Sequence, residues 1–98
     1  MDNVKVIFRK SENPYTKEKE ITAFFPELTA NYGNIVCYQH IGQHGEADLS
    51  FYHSTKKAMP DEYENLLKEL KSIYHDYKLI VMQRINYTDL KKAWIKIA

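Results

Sequence analysis

The chain has 98 residues, of which 44% are hydrophobic and 28% are charged, and its formal net charge is +1. These values are typical of a single folded, soluble domain over residues 1–98, and they exclude a disordered tail or a collagen-like repeat. No apolar run approaches the roughly 18 residues that span a bilayer. Because the charge is balanced, we expect neither membrane contact nor a nucleic-acid partner.

Cysteine usage and the first residues predict the cellular location. Cys37 is the one cysteine of the chain, so it has no partner for an internal disulfide. The first five residues, which include Asp2 and Lys5, lack the apolar segment of a secretory signal. We therefore expect a reducing cytoplasm.

Three strands are predicted in the first half of the chain. Residues 4–9 alternate between apolar and polar side chains, as a half-buried strand does. A second strand, 21–25, ends at Pro26, and the polar segment before it predicts an antiparallel pair with a long connection. The third strand, 35–41, is apolar or aromatic on both faces, which is typical of a central strand.

A helix over residues 60–75 is the clearest element of the second half. Apolar residues recur at spacings of three and four, Pro60 suits the first turn, and Glu64 with Lys68 forms a favourable i,i+4 pair. A fourth strand is predicted over 77–85, followed by a short helix that Thr88 caps.

The element order β-β-β-α-β-α predicts an α+β domain. We expect an antiparallel sheet of about four strands with the helices packed on one face. Because a core of this size is small, a homodimer is the expected assembly.

The candidate site is the passage 38–53, which holds three of the four histidines and two of the three glycines. Aromatic rings can stack on a flat ligand, and histidine, amide and carboxylate groups can bond to its polar edges. Glycines let the backbone approach a ligand closely, and arginines bind phosphate with two parallel hydrogen bonds. The predicted ligand-binding residues are Arg9, Tyr38, His40, Gly42, Gln43, His44, Gly45, Glu46, Asp48, Tyr52 and Arg84.

Other interpretations of the same passage stay open. His40, His44 and Asp48 could hold a metal or act as general base and orienting acid in a hydrolase of a phosphorylated metabolite. Exposed tyrosines could instead dock on a host protein, and the glycines could simply form a turn. Cys37 lies in an apolar strand, which does not favour a nucleophile. We expect a binding protein with no catalytic residues, no resident metal and no cofactor.

Four segments resemble a family of small uncharacterised proteins of bacterial mobile elements and phages. They cover residues 6–10, 21–28, 38–48 and 60–70, and the Gly-Gln-His-Gly-Glu-Ala-Asp run at 42–48 is the most specific. The similarity spans about residues 4–84, but the chain departs from the pattern at 11–18 and after Tyr87. The family supplies no activity. Its setting implies stoichiometric binding in a bacterial host, with capture of a nucleotide-derived signalling molecule as a counter-defence.

Overall fold

The computed structural model of the protein describes residues 3–12, 14–39 and 44–94. Six strands and three helices occupy these ranges. In chain order they are β1 (Asn3–Glu12), β2 (Lys19–Phe25), β3 (Asn34–Tyr38), β4 (Gly45–Asp48), α1 (Leu49–Ser54), β5 (Lys56–Lys57), α2 (Pro60–Ile73), β6 (Lys78–Met82) and α3 (Tyr87–Ala93).

The strands form one sheet in the order β4-β3-β2-β1, and two strands share the remaining side of β1. β5 pairs antiparallel with Arg9 and Lys10, whereas β6 pairs parallel with the first half of β1. All other pairings are antiparallel, and the β1–β2 pair is the long-connection hairpin that the sequence predicts. The α+β class is confirmed, with six strands in place of about four.

Alternation along the strands divides the core into two layers. Val6 and Phe8 of β1 lie on one face with Leu70 of α2, and Ile7 lies on the other face with Phe24 of β2. The β1–β2 register places Ile7 opposite Phe24, so that side chains of both strands contribute to the same layers.

The helices cover both faces of the sheet, which corrects the prediction that they pack on one. α2 lies over the face of Val6, while Tyr52 of α1 and Leu90 of α3 lie over the face of Ile7. Strands β1, β2 and β3 bury apolar side chains on both sides, so each face needs a covering layer. We call these the α2 face and the α3 face.

The helix ends are held by local hydrogen bonds. In α2, Pro60 occupies the first turn and the Glu62 carboxylate accepts from the backbone N–H of Met59 at 2.9 Å. In α3 the cap is Asn86, not Thr88, because the Asn86 side chain accepts from the backbone N–H groups of Thr88 and Asp89. Among the described residues no helix is long and apolar enough to cross a membrane.

Candidate functional site

The sheet separates the predicted site residues into two groups. Tyr38 and His44 lie on the α2 face, where Tyr38 belongs to the core layer with Leu70. Tyr52 belongs to the layer on the α3 face, and the Arg9 guanidinium lies 5.0 Å from its ring centroid. One ligand therefore cannot contact both groups at once.

On the α2 face, aromatic rings gather around His44. Its ring centroid is 5.0 Å from that of Tyr38, 5.5 Å from Phe25 and 5.7 Å from Tyr74. The Tyr74 hydroxyl lies 2.7 Å from His44 Nε2. We call these four residues the His44 cluster.

Within this cluster the two predicted ligand residues differ in exposure. Tyr38 is 4% exposed and its hydroxyl donates to the Glu69 carboxylate, so its ring packs in the core and does not face solvent. His44 is exposed. Burial, with a smaller contribution from Tyr77, raises the pKa of the Tyr74 hydroxyl, which keeps this group protonated and able to donate to His44. Of the two, only His44 presents its ring to solvent.

A groove on the same face lies beside the first half of α2. Its volume is about 590 Å³, which falls within the range of small-molecule sites. Ile21 and Leu66 give it apolar walls, and Asn65 places an exposed amide beside them. The residues that line it are Lys19, Glu20, Ile21, Gln39, Glu62, Asn65 and Leu66.

The groove and the His44 cluster are neighbours in the fold. Gln39 of the groove directly follows Tyr38 of the cluster. On α2, Asn65 stands four residues before Glu69, the acceptor of the Tyr38 hydroxyl, so about one helical turn separates the two places. The groove thus lies beside the first half of α2, and the His44 cluster lies near the end of that helix.

The charges of the groove nearly cancel. Lys19 is cationic, Glu20 and Glu62 are anionic, and Lys10 forms a 3.0 Å ion pair with Glu62. The Glu62 carboxylate also accepts from the backbone of Met59, and that bond, with the bond from Lys10, lowers the pKa of this group. Lys19 is the cation among the described residues that line the groove, and its charge also helps to lower the pKa of Glu62.

Two predicted ligand carboxylates hold turns. Glu46 accepts from the backbone N–H of Asn31 at 3.0 Å and from the side chain of Asn34 at 3.1 Å. Asp48 caps α1 by accepting from the backbone N–H of Phe51 at 2.8 Å, and it also accepts from the Ser50 hydroxyl. These bonds anchor β4 to the loop between β2 and β3 and start α1.

Arg9 and Tyr52 also have structural partners. Arg9 Nε donates to Thr55 Oγ1 at 2.9 Å and its Nη2 donates to the Thr55 carbonyl oxygen, at the C-terminal end of α1. Tyr52 is 5% exposed, and its hydroxyl accepts from the backbone N–H of Ile85. The arginine that we predicted to meet phosphate thus fastens α1 to β1.

The remaining predicted residues are distributed as follows. Arg84 is exposed in a bend after β6, away from the strand in which we placed it. Gly45 lies in β4, and a Cβ added there would have no neighbour within 4 Å. The predictions for His40, Gly42 and Gln43 fall outside the described residues.

The alternative chemistries find few suitable groups in the parts of the chain that the structure describes. No three His, Cys, Asp or Glu side chains in residues 3–12, 14–39 and 44–94 come together as a metal-binding group. Burial raises the pKa of the Cys37 thiol, and Glu46 adds to the effect, which leaves it a poor nucleophile.

Asn65, Lys19 and Leu66 were missed as candidate site residues. The groove brings the start of β2 beside α2, about 40 positions further along the chain. The solvent-facing amide of Asn65 beside the apolar stripe was the available signal, but it does not reveal which strand faces the helix.

No family model, curated protein or solved structure matches this chain.

The bonds of Glu46 and Asp48 predict a loss of stability in acid. Hydrogen bonds, led by the Asn31 backbone for Glu46 and the Ser50 hydroxyl for Asp48, lower the pKa of each carboxyl below its ordinary value of 4.5 or 3.8. Their contribution is present above the unfolded-state pKa and is lost as pH falls through the folded-state pKa. Thermal melts over a pH series should show this decline.

The matched variant is Glu46→Gln, with Glu18→Gln on the β1–β2 connection as the control. The melting temperature of Glu46→Gln should fall less between neutral pH and about pH 3 than that of the native chain, whereas Glu18→Gln should follow the native chain. Equal declines in the native chain and Glu46→Gln would show that this carboxylate does not link stability to pH.

Proposed function

We propose that this protein binds a small nucleotide-like molecule in the groove beside α2 and retains it unchanged. The observation that carries the proposal is the groove itself, a concave space of about 590 Å³ in which Ile21 and Leu66 lie among five polar or charged residues. In sites for small molecules, apolar side chains supply contact area and polar groups set orientation.

The groove residues have complementary roles toward such a ligand. Ile21 and Leu66 offer apolar surface to a planar base, and the Asn65 amide can both donate to and accept from its edge. Lys19 can meet a phosphate at the mouth of the groove. His44 contacts Tyr74, eight residues or about two helical turns beyond Leu66, and can stack on a ligand long enough to extend that far from the groove.

The charge of the groove indicates which nucleotides it can bind. Glu62 is paired with Lys10, so the positive charge of Lys19 is balanced by the negative charge of Glu20. A balanced site favours a ligand with one or two phosphodiester charges over a nucleoside triphosphate. Cyclic nucleotides and cyclic dinucleotides have this chemistry.

The acid and base groups of the predicted site already have hydrogen-bond partners within the protein, which favours binding of the ligand without its hydrolysis. The Asp48 carboxylate caps α1, the Glu46 carboxylate holds the Asn31 loop, and His44 Nε2 faces the Tyr74 hydroxyl. The hydrolase interpretation needs these groups directed at a substrate. Following the expectation of a phage or mobile-element setting, we propose a biological role in which the protein captures a signalling nucleotide of the bacterial host.

The proposal is tested by thermal shift against a panel of cyclic mononucleotides, cyclic dinucleotides and ADP-ribose derivatives. A true ligand at 100 times its Kd should add roughly 2.7 kcal/mol to the free energy of unfolding. Isothermal titration should then show Asn65→Ala binding about tenfold more weakly, the value of one lost hydrogen bond. Glu64→Ala, on the same helix but outside the groove, should bind as the native protein does.

A second variant identifies the phosphate contact. Lys19→Gln should weaken binding of the nucleotide but leave binding of the matching unphosphorylated nucleoside unchanged. A panel in which no molecule raises the melting temperature, or an Asn65→Ala protein that binds as tightly as the native one, would contradict the proposal.

A further inference from the structure

The outer side of β6 is an unpaired strand edge with apolar side chains. β6 pairs with β1 on one side, and none of the described strands pairs with its other side. Leu79, Ile80, Val81 and Met82 are all half-buried in the single chain. Edge strands are usually protected by charges, proline or a bulge, but the one charge in β6 is Lys78 at its start.

We propose that this edge pairs antiparallel with β6 of a second copy of the chain, so that the two sheets join across a two-fold axis. This pairing does not involve the residues that line the groove beside α2. Antiparallel pairing of one strand with itself is isologous, since each copy offers the same surface to the other. A continuous sheet of two copies would satisfy the backbone groups that the single chain leaves at this edge.

The charges beside β6 specify the register. The pairing that uses the whole strand places Ile80 opposite Ile80 of the second copy. In that register Asp76, in the turn two residues before the strand, and Arg84, in the bend two residues after it, come to the same end of the joined strands. The symmetry produces this pair of opposite charges twice. Shifting the register by two residues instead places Lys78 opposite Arg84, which are like charges, and loses strand pairing.

Both charged side chains are exposed in the single chain. Asp76 has a 3.2 Å contact with His75, and both side chains of that contact are mostly exposed. No ion pair of Arg84 occurs among the described residues. Both side chains are thus accessible to charges of a second copy.

The same register continues both core layers. Leu79 and Val81 pack on the α2 face and lie opposite Val81 and Leu79 of the second copy. Ile80 is the register partner of Lys5, and Lys5 forms an ion pair with Asp89 of α3. The Ile80 side chain therefore lies on the α3 face, where it would contact Ile80 of the second copy. Apolar side chains therefore face each other at positions 79–81, and at each end of the pairing Lys78 lies opposite Met82.

Sedimentation equilibrium over a concentration series tests the proposal. The native chain should approach twice the 11.6 kDa of one copy. Asp76→Arg should weaken the dimer roughly tenfold, because each of two ion pairs becomes a like-charge contact. Arg84→Asp should act similarly, and the double variant Asp76→Arg with Arg84→Asp should restore the native dissociation constant.

Two further variants separate this edge from general surface effects. Ile80→Lys places two lysines opposite each other at the axis and should give a monomer whose circular dichroism is native. Glu18→Arg makes the same charge change as Asp76→Arg on the β1–β2 connection, and it should leave the dimer intact. A native chain that is monomeric up to millimolar concentration, or a dimer that neither Ile80→Lys nor the charge reversals weaken, would overturn the proposal.

Discussion

Phe24→Ala is expected to lower the free energy of unfolding by about 3–5 kcal/mol, the usual cost of removing a buried phenyl ring. Phe24 is fully buried in the layer on the α3 face, and its ring makes an edge contact with Tyr52 at a centroid distance of 5.2 Å. A domain of this size has roughly 5–15 kcal/mol in total, so the variant should lose a large part of its stability. Urea unfolding followed by circular dichroism measures the change.

Phe51→Ala is the matched control. Phe51 lies 6.2 Å from Phe24 in the same layer, but it is only partly buried. Its truncation should therefore cost clearly less than that of Phe24. Equal losses in the two variants would contradict the assignment of Phe24 to the centre of this layer.

Arg9→Met is expected to destabilise the protein by about 2–3 kcal/mol. The substitution removes two hydrogen bonds from a charged donor to Thr55 and leaves the buried Thr55 hydroxyl and carbonyl oxygen with fewer partners. It also removes the guanidinium from the Tyr52 ring. Urea unfolding should show this loss, whereas the affinity of the folded protein for its ligand should be unchanged.

Lys56→Met provides the comparison for Arg9. Lys56 is an exposed cation on β5, and its removal should change stability by less than about 0.5 kcal/mol. If Arg9→Met abolished ligand binding and left stability intact, the structural role of Arg9 would be wrong and the phosphate-binding role would return.

The fold could largely be predicted because its main elements have strong local patterns. The alternation of Val4, Val6 and Phe8 predicted one face of β1, and these side chains are buried together against α2. The apolar stripe with Leu66 and Leu70 predicted a helix over 60–75, and α2 occupies Pro60–Ile73. Both patterns depend on residues within one element, and the tertiary contacts of the fold agree with them.

The long-range arrangement could not be derived in the same way. The parallel pairing of β6 with β1 joins segments about 75 positions apart, and no local pattern specifies it. The placement of helices on both faces follows from strands with two apolar sides. That signal is present in β3, where Ile35 and Val36 are both buried, and β1 and β2 also have consecutive buried residues.

The predicted site residues differ from the residues of the groove for a related reason. The alternation of side chains along β1 already places Arg9 and Phe8 on opposite faces of the sheet. Whether Arg9 shares a face with Tyr38 depends on the β1–β2 and β2–β3 registers, which the sequence does not specify. Asp48 before Leu49 and Ser50 is also a common way to begin a helix, and α1 begins there. The polar passage 38–53 thus contains two kinds of residue: carboxylates that hold turns, and side chains that face solvent.

The central claim is that the protein holds a nucleotide-like molecule without converting it. The most direct measurement is to incubate the ligand from the panel with an equal amount of protein, separate the bound fraction, denature it and identify the released molecule by chromatography and mass spectrometry. We predict one intact ligand per binding groove, with the bound fraction strongly reduced for Asn65→Ala. Release of a hydrolysed product would contradict retention, and equal bound fractions for the native and Asn65→Ala proteins would contradict the groove.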